Sequence, residues 1–152
     1  ITESSPVAPV TASGKAHVGI EQHLLDTAPH NSYVLRLAGL VGPDRHPVNT
    51  LAGRTLSGAD QVVNLVHIED VLRTIEALIK QQSNKRILHL CSNDHPKRGL
   101  YYPEMAKRRE LAPIHFSEQP NEHNAGEGKH IDASATLAEL SLRLSYPSPW
   151  DM

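Results

Sequence analysis

Three apolar segments set between helical patterns predict an α/β fold for this 152-residue chain. The first, Val34-Leu35-Arg36-Leu37-Ala38-Gly39-Leu40-Val41-Gly42-Pro43, reads as a buried strand that ends in a glycine-rich turn. The second, Val63 to Val71, begins β-branched and apolar and runs into an amphipathic helix. The third, Arg86 to Cys91, carries Ile87, Leu88 and Leu90. The order helix, strand, short strand, helix, strand, helix belongs to parallel sheets covered by helices. Such sheets place ligand sites beyond the carboxyl ends of their strands.

Residues 1–13, rich in Pro, Ser and Thr, predict irregular chain. A helix is expected from Gly14 to Ala28, with Ala16, Ile20, Leu24 and Leu25 on its apolar side, and Pro29 stops it. Tyr33 to Leu40 forms the first strand, which Gly42-Pro43-Asp44 breaks. A short helix over Val48 to Gly53 and a turn at Gly58-Ala59-Asp60 follow. Val62 to Ile68 is a short strand, after which Glu69 or Asp70 caps the strongest helix of the sequence, running through Gln82. Its apolar side is Val71, Leu72, Ile75, Leu78 and Ile79. After the strand Arg86 to Cys91 comes a turn over Ser92 to Pro96. Pro103 suits the first turn of a helix holding Met105 and Ala106. Pro113 to Phe116 is extended, and Gln119 to Lys129 is a polar, glycine-bearing loop. Asp132 caps a last helix through Leu140, and Tyr146 to Trp150 is a tail.

A chain of this length supports one domain with a core. Formal net charge is −2, and Lys107-Arg108-Arg109 is too short a basic run to bind nucleic acid. It reads as a solvated helix face. No run of eighteen apolar residues and no secretory leader occurs, so neither a membrane span nor export is expected. Cys91 is the only cysteine, which excludes an internal disulfide and fits a cytoplasmic protein. The ten histidines are scattered without the spacing of a zinc site, so no metal is expected. Three short strands are too few for a complete doubly wound sheet and would leave an apolar edge. The chain also opens on Ile1 rather than Met. The strand count predicts a missing partner segment, and the opening residue fits a segment lost upstream.

Four landmarks in order carry a family resemblance. Pro6 to Glu21 is similar to the stretch holding a Tyr-x-x-x-Lys pair and its helix. Val34 to Pro43 resembles the next strand, Val63 to Val71 resembles a hydrophobic-His-Val-Asp-Asp-Val signature, and Ile87 to Pro96 resembles a later strand and turn. Together the segments resemble the C-terminal half of an extended short-chain dehydrogenase/reductase, the NAD-dependent epimerase/dehydratase group. The resemblance implies part of a Rossmann-like doubly wound parallel sheet with a small substrate lobe built after Gly42 and after Asn93. It implies NAD or NADP as cofactor and a small hydroxyl or carbonyl substrate, with nucleotide sugars the commonest class. The glycine-rich half that cradles the pyrophosphate in this group is not in the sequence. Gly126-Glu127-Gly128 lies in the polar loop with no strand before it.

Aligning on Gly14 puts Ser13 at the family's Tyr position and His17 at its Lys position; pairing Thr11 with Lys15 would break that alignment. In the family the Tyr exchanges a proton with a substrate hydroxyl and the Lys lowers its pKa. Ser13 with His17 as base, four residues on along one helix face, is the catalytic candidate. Ser13 as helix cap and His17 as surface residue is the competing reading. The resemblance assigns His17, Leu37, Ala38, Gly39 and Leu40 to the cofactor and Arg45, His46, Asn64 and His67 to the substrate side. Asp70 as a cap, His67 as a satisfied buried side chain, Arg36 in a structural ion pair and Cys91 as a small buried hydrophobe are the structural readings. Three functions follow from the sequence: an epimerase/dehydratase-like oxidoreductase, inactive as this portion alone; a non-catalytic dinucleotide-binding regulator of the same fold; or an interaction module completed by another chain.

Overall fold

The computed structural model describes residues 1–117 and 128–152. The loop expected over Gln119 to Lys129 lies outside them except for its last two residues, and so do Gly126 and Glu127. Six strands pair two by two, all in parallel: β1 (Val34–Leu37) with β5 (Ile87–Leu90), β2 (Gly39–Val41) with β4 (Leu65–His67), and β3 (Thr55–Leu56) with β6 (His115–Phe116). No helix among the described residues is long and apolar enough to cross a membrane.

Helix α1 spans Ala12–Thr27 and starts two residues before the expected Gly14. Thr11 is its cap, with extended backbone and a hydroxyl that accepts the Gly14 amide at 3.0 Å. Ser13 already lies in the first turn and does not cap. The expected apolar side of α1 is also displaced. Gly14, Val18, Glu21 and Leu25 are its half-buried residues, whereas Ala16, Ile20 and Leu24 are exposed. Pro29 stands just past the C-terminal cap Ala28, as the sequence predicts.

The single strand expected from Tyr33 to Leu40 is two. The Ala38 amide donates to the Leu90 carbonyl and the next amide, Gly39, donates to the Asn64 carbonyl, both at 3.0 Å. The chain thus changes partner between consecutive residues. A Cβ at Gly39 would stand 2.9 Å from Leu65 Cδ2 and 3.1 Å from the Asn64 carbonyl oxygen, so a side chain at this close crossing of strands would make both neighbours give way. After β2, Gly42 and Arg45 exchange backbone hydrogen bonds of 2.8 and 3.1 Å around Pro43-Asp44, closing the expected turn.

Helix α2 is short, Pro47–Leu51. Helix α3, Ile68–Gln81, is capped by His67, whose Nδ1 accepts the Glu69 amide at 3.3 Å. Neither Glu69 nor Asp70 is the cap. Its buried side is Asp70, Val71, Thr74 and Leu78, while Leu72, Ile75 and Ile79 face outward. The inward face is rotated because Asp70 is drawn under the C-terminal segment. Its carboxylate accepts the Ser145 and Tyr146 amides at 2.7 and 3.0 Å and Arg73 Nη1 at 3.3 Å. Helix α4, Arg98–Arg108, begins well before Pro103, which lies inside it. Its first amides are taken by another loop: Arg98 N–H donates to the Gln61 carbonyl and Gly99 N–H to the Ala59 carbonyl. That tertiary anchoring replaces a side-chain cap and leaves no local signal. Helix α5, Ser134–Glu139, has its first amide held by Asp132, and a 3-10 turn, Pro149–Asp151, ends the chain.

Two layers of core result. Leu88, Leu90, Val66, Val71, Leu78 and Leu140 pack the β1–β5 pair against α3 and the α5 region. A larger cluster of Val41, Val48, Val63, Leu65, Tyr101, Met105 and Ile114 lies around α4 and forms the lobe beyond the strand ends. Full burial of each such aliphatic side chain contributes roughly 1.5–3 kcal/mol.

Because the buried Asp70 carboxylate satisfies two amides of the C-terminal segment, Asp70→Ala is expected to lower folding stability by about 3 kcal/mol. Arg73→Ala, removing a partly exposed partner, should cost about 1 kcal/mol. Urea midpoints of the two variants check this; equal losses would show that the segment is held elsewhere.

Candidate functional site

The site builds from the ends of parallel strands, where the sheet leaves a space that side chains from the following turn enclose. Beyond β2, a hollow of about 460 Å³ is lined by Gly39, Leu40, Asp44, Arg45, His46 and α2 residues including Asn49. Arg45 is exposed, but its guanidinium is not loose: Nε donates to the Leu40 carbonyl at 3.1 Å. The remaining guanidinium N–H groups belong to none of the ion pairs among the described residues. A guanidinium held by one edge presents its remaining donors as a preset fork for an anionic or carbonyl oxygen.

His46 borders the same hollow with both ring nitrogens occupied. Nδ1 accepts the Val48 amide at 3.1 Å, capping α2, and Nε2 lies 2.9 Å from the Tyr101 hydroxyl. That hydroxyl donates to the Pro149 carbonyl at 3.0 Å, so it receives the His46 Nε2 proton. Burial, with the Arg109 charge adding to it, lowers the His46 pKa to about 4, and burial raises that of Tyr101 above the ordinary phenol range. The geometry therefore makes His46 a buried neutral brace of the hollow.

A second cleft, of about 550 Å³, lies between α1, the face of β1 and β5, and the segment Ile1 to Pro9. His17, Leu37, Arg36, Glu21 and His89 contribute to its lining. Arg36 forms the expected structural ion pair, reaching Glu21 with Nη2 at 2.6 Å and Nε at 3.1 Å. The hydrogen bonds that Arg36 donates to Glu21 raise its pKa further, so this charge is permanent. Ser13 is exposed, lines neither space, and makes no hydrogen bond to His17. Without that bond, and without a third group to orient His17, the pair as it stands is not an activated nucleophile or acid.

Asn64 and His67 line neither of these two spaces. Asn64 is a clamp: Nδ2 donates to the Lys129 carbonyl at 2.8 Å and Oδ1 accepts the Ile131 amide at 3.0 Å. His67, besides capping α3, stacks on Tyr146 with ring centroids 3.7 Å apart. Cys91 is buried, and that burial pushes its thiol up to about 11, the behaviour of a small hydrophobe. No metal-binding cluster of three or more His, Cys, Asp or Glu side chains exists among the described residues.

His89 was invisible as a site residue in the sequence. It sits mid-strand opposite Arg36, only 4% exposed, and neither ring nitrogen has a hydrogen-bond partner. Burial lowers its pKa, partly opposed by the Glu3 carboxylate. Burial resists the ionisation of Glu3, but the Thr136 hydroxyl it accepts at 2.7 Å, backbone hydrogen bonds and the neighbouring His89 together lower its pKa. Alternation in Ile87-Leu88-His89-Leu90 was the available signal: the one polar residue faces away from the leucine core.

No family model matches the sequence. The chain is 39% identical over 149 residues to Protein YeeZ of Escherichia coli strain K12, covering 98% of this chain and 53% of that protein. It spans about half the length of the curated relatives it matches. Among solved structures, a functionally unknown conserved protein from Silicibacter pomeroyi superposes with a TM-score of 0.79 at 23% identity, over 97% of this chain and 56% of that one. DesIV, a dTDP-glucose 4,6-dehydratase from Streptomyces venezuelae with NAD bound, superposes with a TM-score of 0.76 at 18% identity, over 99% and 51%. A UDP-glucose 4-epimerase is among the same neighbours. These likenesses show the fold: mixed α/β with parallel strands, equivalent to about half of a Rossmann-like epimerase or dehydratase chain.

The His46 brace makes the fold sensitive to acid with a definite sign. In the unfolded chain the ring takes a proton near pH 6.5, but in the fold it resists until about pH 4. Stability is therefore full above pH 6.5 and falls as pH drops toward 4. His89 and His95, also lowered by burial, act in the same direction. Urea unfolding across pH 4–7 is expected to show a shallower slope for His46→Gln than for the parent; an unchanged slope would remove His46 as a source.

Proposed function

We propose that residues 1–152 form the substrate-side half of an NAD(P)-dependent protein of the epimerase/dehydratase kind, acting on a small hydroxylated or carbonyl compound. The observation that carries this reading is the hollow beyond β2, where a preset arginine meets strand ends in a fold shared with such enzymes. Leu37, Ala38, Gly39 and Leu40 supply backbone and hydrocarbon that fit the wall of a ring-sized group. The sequence contains no Gly-x-x-Gly-x-x-Gly run, so the turn that would hold a pyrophosphate belongs to a preceding half outside these residues. The bound cofactor would supply hydride exchange. This chain's residues would bind and orient: Arg45 grips a substrate oxygen, His46 braces the hollow, and Asn64 holds the Lys129 to Ile131 segment that lines the second cleft, while His67 caps α3. His17 stands at the cofactor side of α1, and Ser13 is the hydroxyl available for proton exchange once the substrate orders it.

A specific observation favours a second reading. Ser13 is exposed and unbonded to His17, which suits a protein that binds the dinucleotide without turnover. The complete protein distinguishes the two. Under the first reading NADH is consumed with some member of a carbonyl panel, His17→Ala lowers turnover at least about 100-fold, and Arg45→Ala raises KM about tenfold. NADH binding by fluorescence with no turnover on any carbonyl establishes the regulator instead. Absence of NAD(H) binding overturns both.

A further inference from the structure

Among the described residues, the charged side chains that line the hollow beyond β2 are Asp44 and Arg45. They are neighbours in the chain yet form no ion pair with each other, and the Asp44 carboxylate makes no hydrogen bond among the described residues. The other polar groups of the lining, Asn49, Thr50 and His46, are uncharged at neutral pH. Arg109, whose charge acts on His46, lines neither this hollow nor the space beside it and donates Nη2 to the Met152 carbonyl at 3.3 Å. The space beside it has a volume of about 290 Å³. It shares Leu40, Asp44 and Arg45 with the hollow and adds the hydrocarbon of Val41, Pro43 and Ile68. A polar compartment with one cation and one anion, neither of them in an ion pair among the described residues, thus adjoins an apolar one.

A ligand with a single negative charge balances such a lining. Its carboxylate takes the remaining N–H groups of Arg45 as a fork, and Asp44 accepts from a hydroxyl. A second negative charge would share the hollow with the Asp44 carboxylate and find no second cation in the lining to offset it. Like charges a few ångströms apart near a protein surface repel enough to lower affinity about tenfold. An unpaired charge of this kind gives specificity by penalising the wrong ligand rather than by gripping the right one. We infer that the hollow and its apolar neighbour together take a monocarboxylate that bears a hydroxyl or carbonyl group and a short hydrocarbon arm, and that Asp44 excludes dianions, a nucleoside diphosphate among them. The carboxylate sits on Arg45 and the arm against Val41, Pro43 and Ile68. That this ligand is the substrate rests on the function proposed above; the charge rule concerns binding alone and is read without turnover.

Saturation-transfer NMR titrations of the complete protein with 3-hydroxybutyrate, malate and UDP-glucose test it. Malate is 3-hydroxybutyrate with a carboxylate in place of the methyl group, so the two probes differ only in the arm and its charge. 3-Hydroxybutyrate is expected to bind about tenfold tighter than malate, and Arg45→Ala to weaken it about tenfold. Asp44→Asn is expected to tighten malate about fivefold or more, which separates the charge from the lost methyl. Malate or UDP-glucose binding as tightly as 3-hydroxybutyrate would overturn the proposal. So would a malate affinity that Asp44→Asn leaves unchanged, or 3-hydroxybutyrate binding that does not need Arg45. NADH fluorescence titrations of the same samples keep the two readings apart. A protein that binds NADH but not 3-hydroxybutyrate overturns this inference alone, whereas Arg45-dependent binding of 3-hydroxybutyrate without NADH binding overturns the dinucleotide reading and leaves the charge rule standing.

Discussion

The change of hydrogen-bond partner between Ala38 and Gly39 is the constraint on which the rest of the structure depends. One amide belongs to the β1–β5 pair and the next to the β2–β4 pair. The apolar run therefore serves two layers, one under α3 and one continuing into the lobe around α4. A residue without Cβ passes between the Leu65 side chain and the Asn64 carbonyl with no shift of either. The turn at Gly42 to Arg45 and the hollow beyond β2 take their positions from this crossing, because Arg45 is pinned back onto the carbonyl of Leu40. A side chain at position 39 would separate the strands and loosen the seat of the arginine, so packing and site share one residue.

The polar residues near the hollow divide by what surrounds them. His46, Asn64, His67 and Asp70 spend their hydrogen-bonding atoms on backbone amides, carbonyls or a buried hydroxyl. They hold the lobe and the C-terminal segment against the strand ends. Arg45 spends only its Nε, on the Leu40 carbonyl, and its other guanidinium N–H groups belong to none of the ion pairs among the described residues. Behind this held guanidinium stands His46, its pKa lowered to about 4 by burial and both ring nitrogens hydrogen-bonded, an arrangement suited to orientation.

Much of the fold was legible in sequence where the signal is local. The helix over residues 68–81, the strand at Ile87 to Leu90, the stop at Pro29 and the turn after Val41 each follow from periodicity or from the backbone limits of Pro and Gly. The errors have a common origin. Ala16, Ile20 and Leu24 on α1, and Leu72, Ile75 and Ile79 on α3, are apolar at helical spacing yet face outward. Periodicity reports that a stripe exists and is silent on which element covers it. Strand β3 and the early start of α4 were missed because their hydrogen-bond partners are remote: β6 for the one, the loop at Ala59 to Gln61 for the other.

For the candidate site the division is similar. Residue types, order and spacing were enough to determine an α/β chain, with no Gly-x-x-Gly-x-x-Gly run in its sequence, and to name candidates for a site beyond its strand ends. Which of the named side chains face that site was decided only by the tertiary structure. It spread the candidates over two clefts, occupied both nitrogens of His46, turned Asn64 into a clamp, and revealed His89 beneath the sheet. The physical reason is that a hydrogen-bonding group has few partners to give, and whether these go to the fold or remain for a ligand depends on neighbours dozens of residues away.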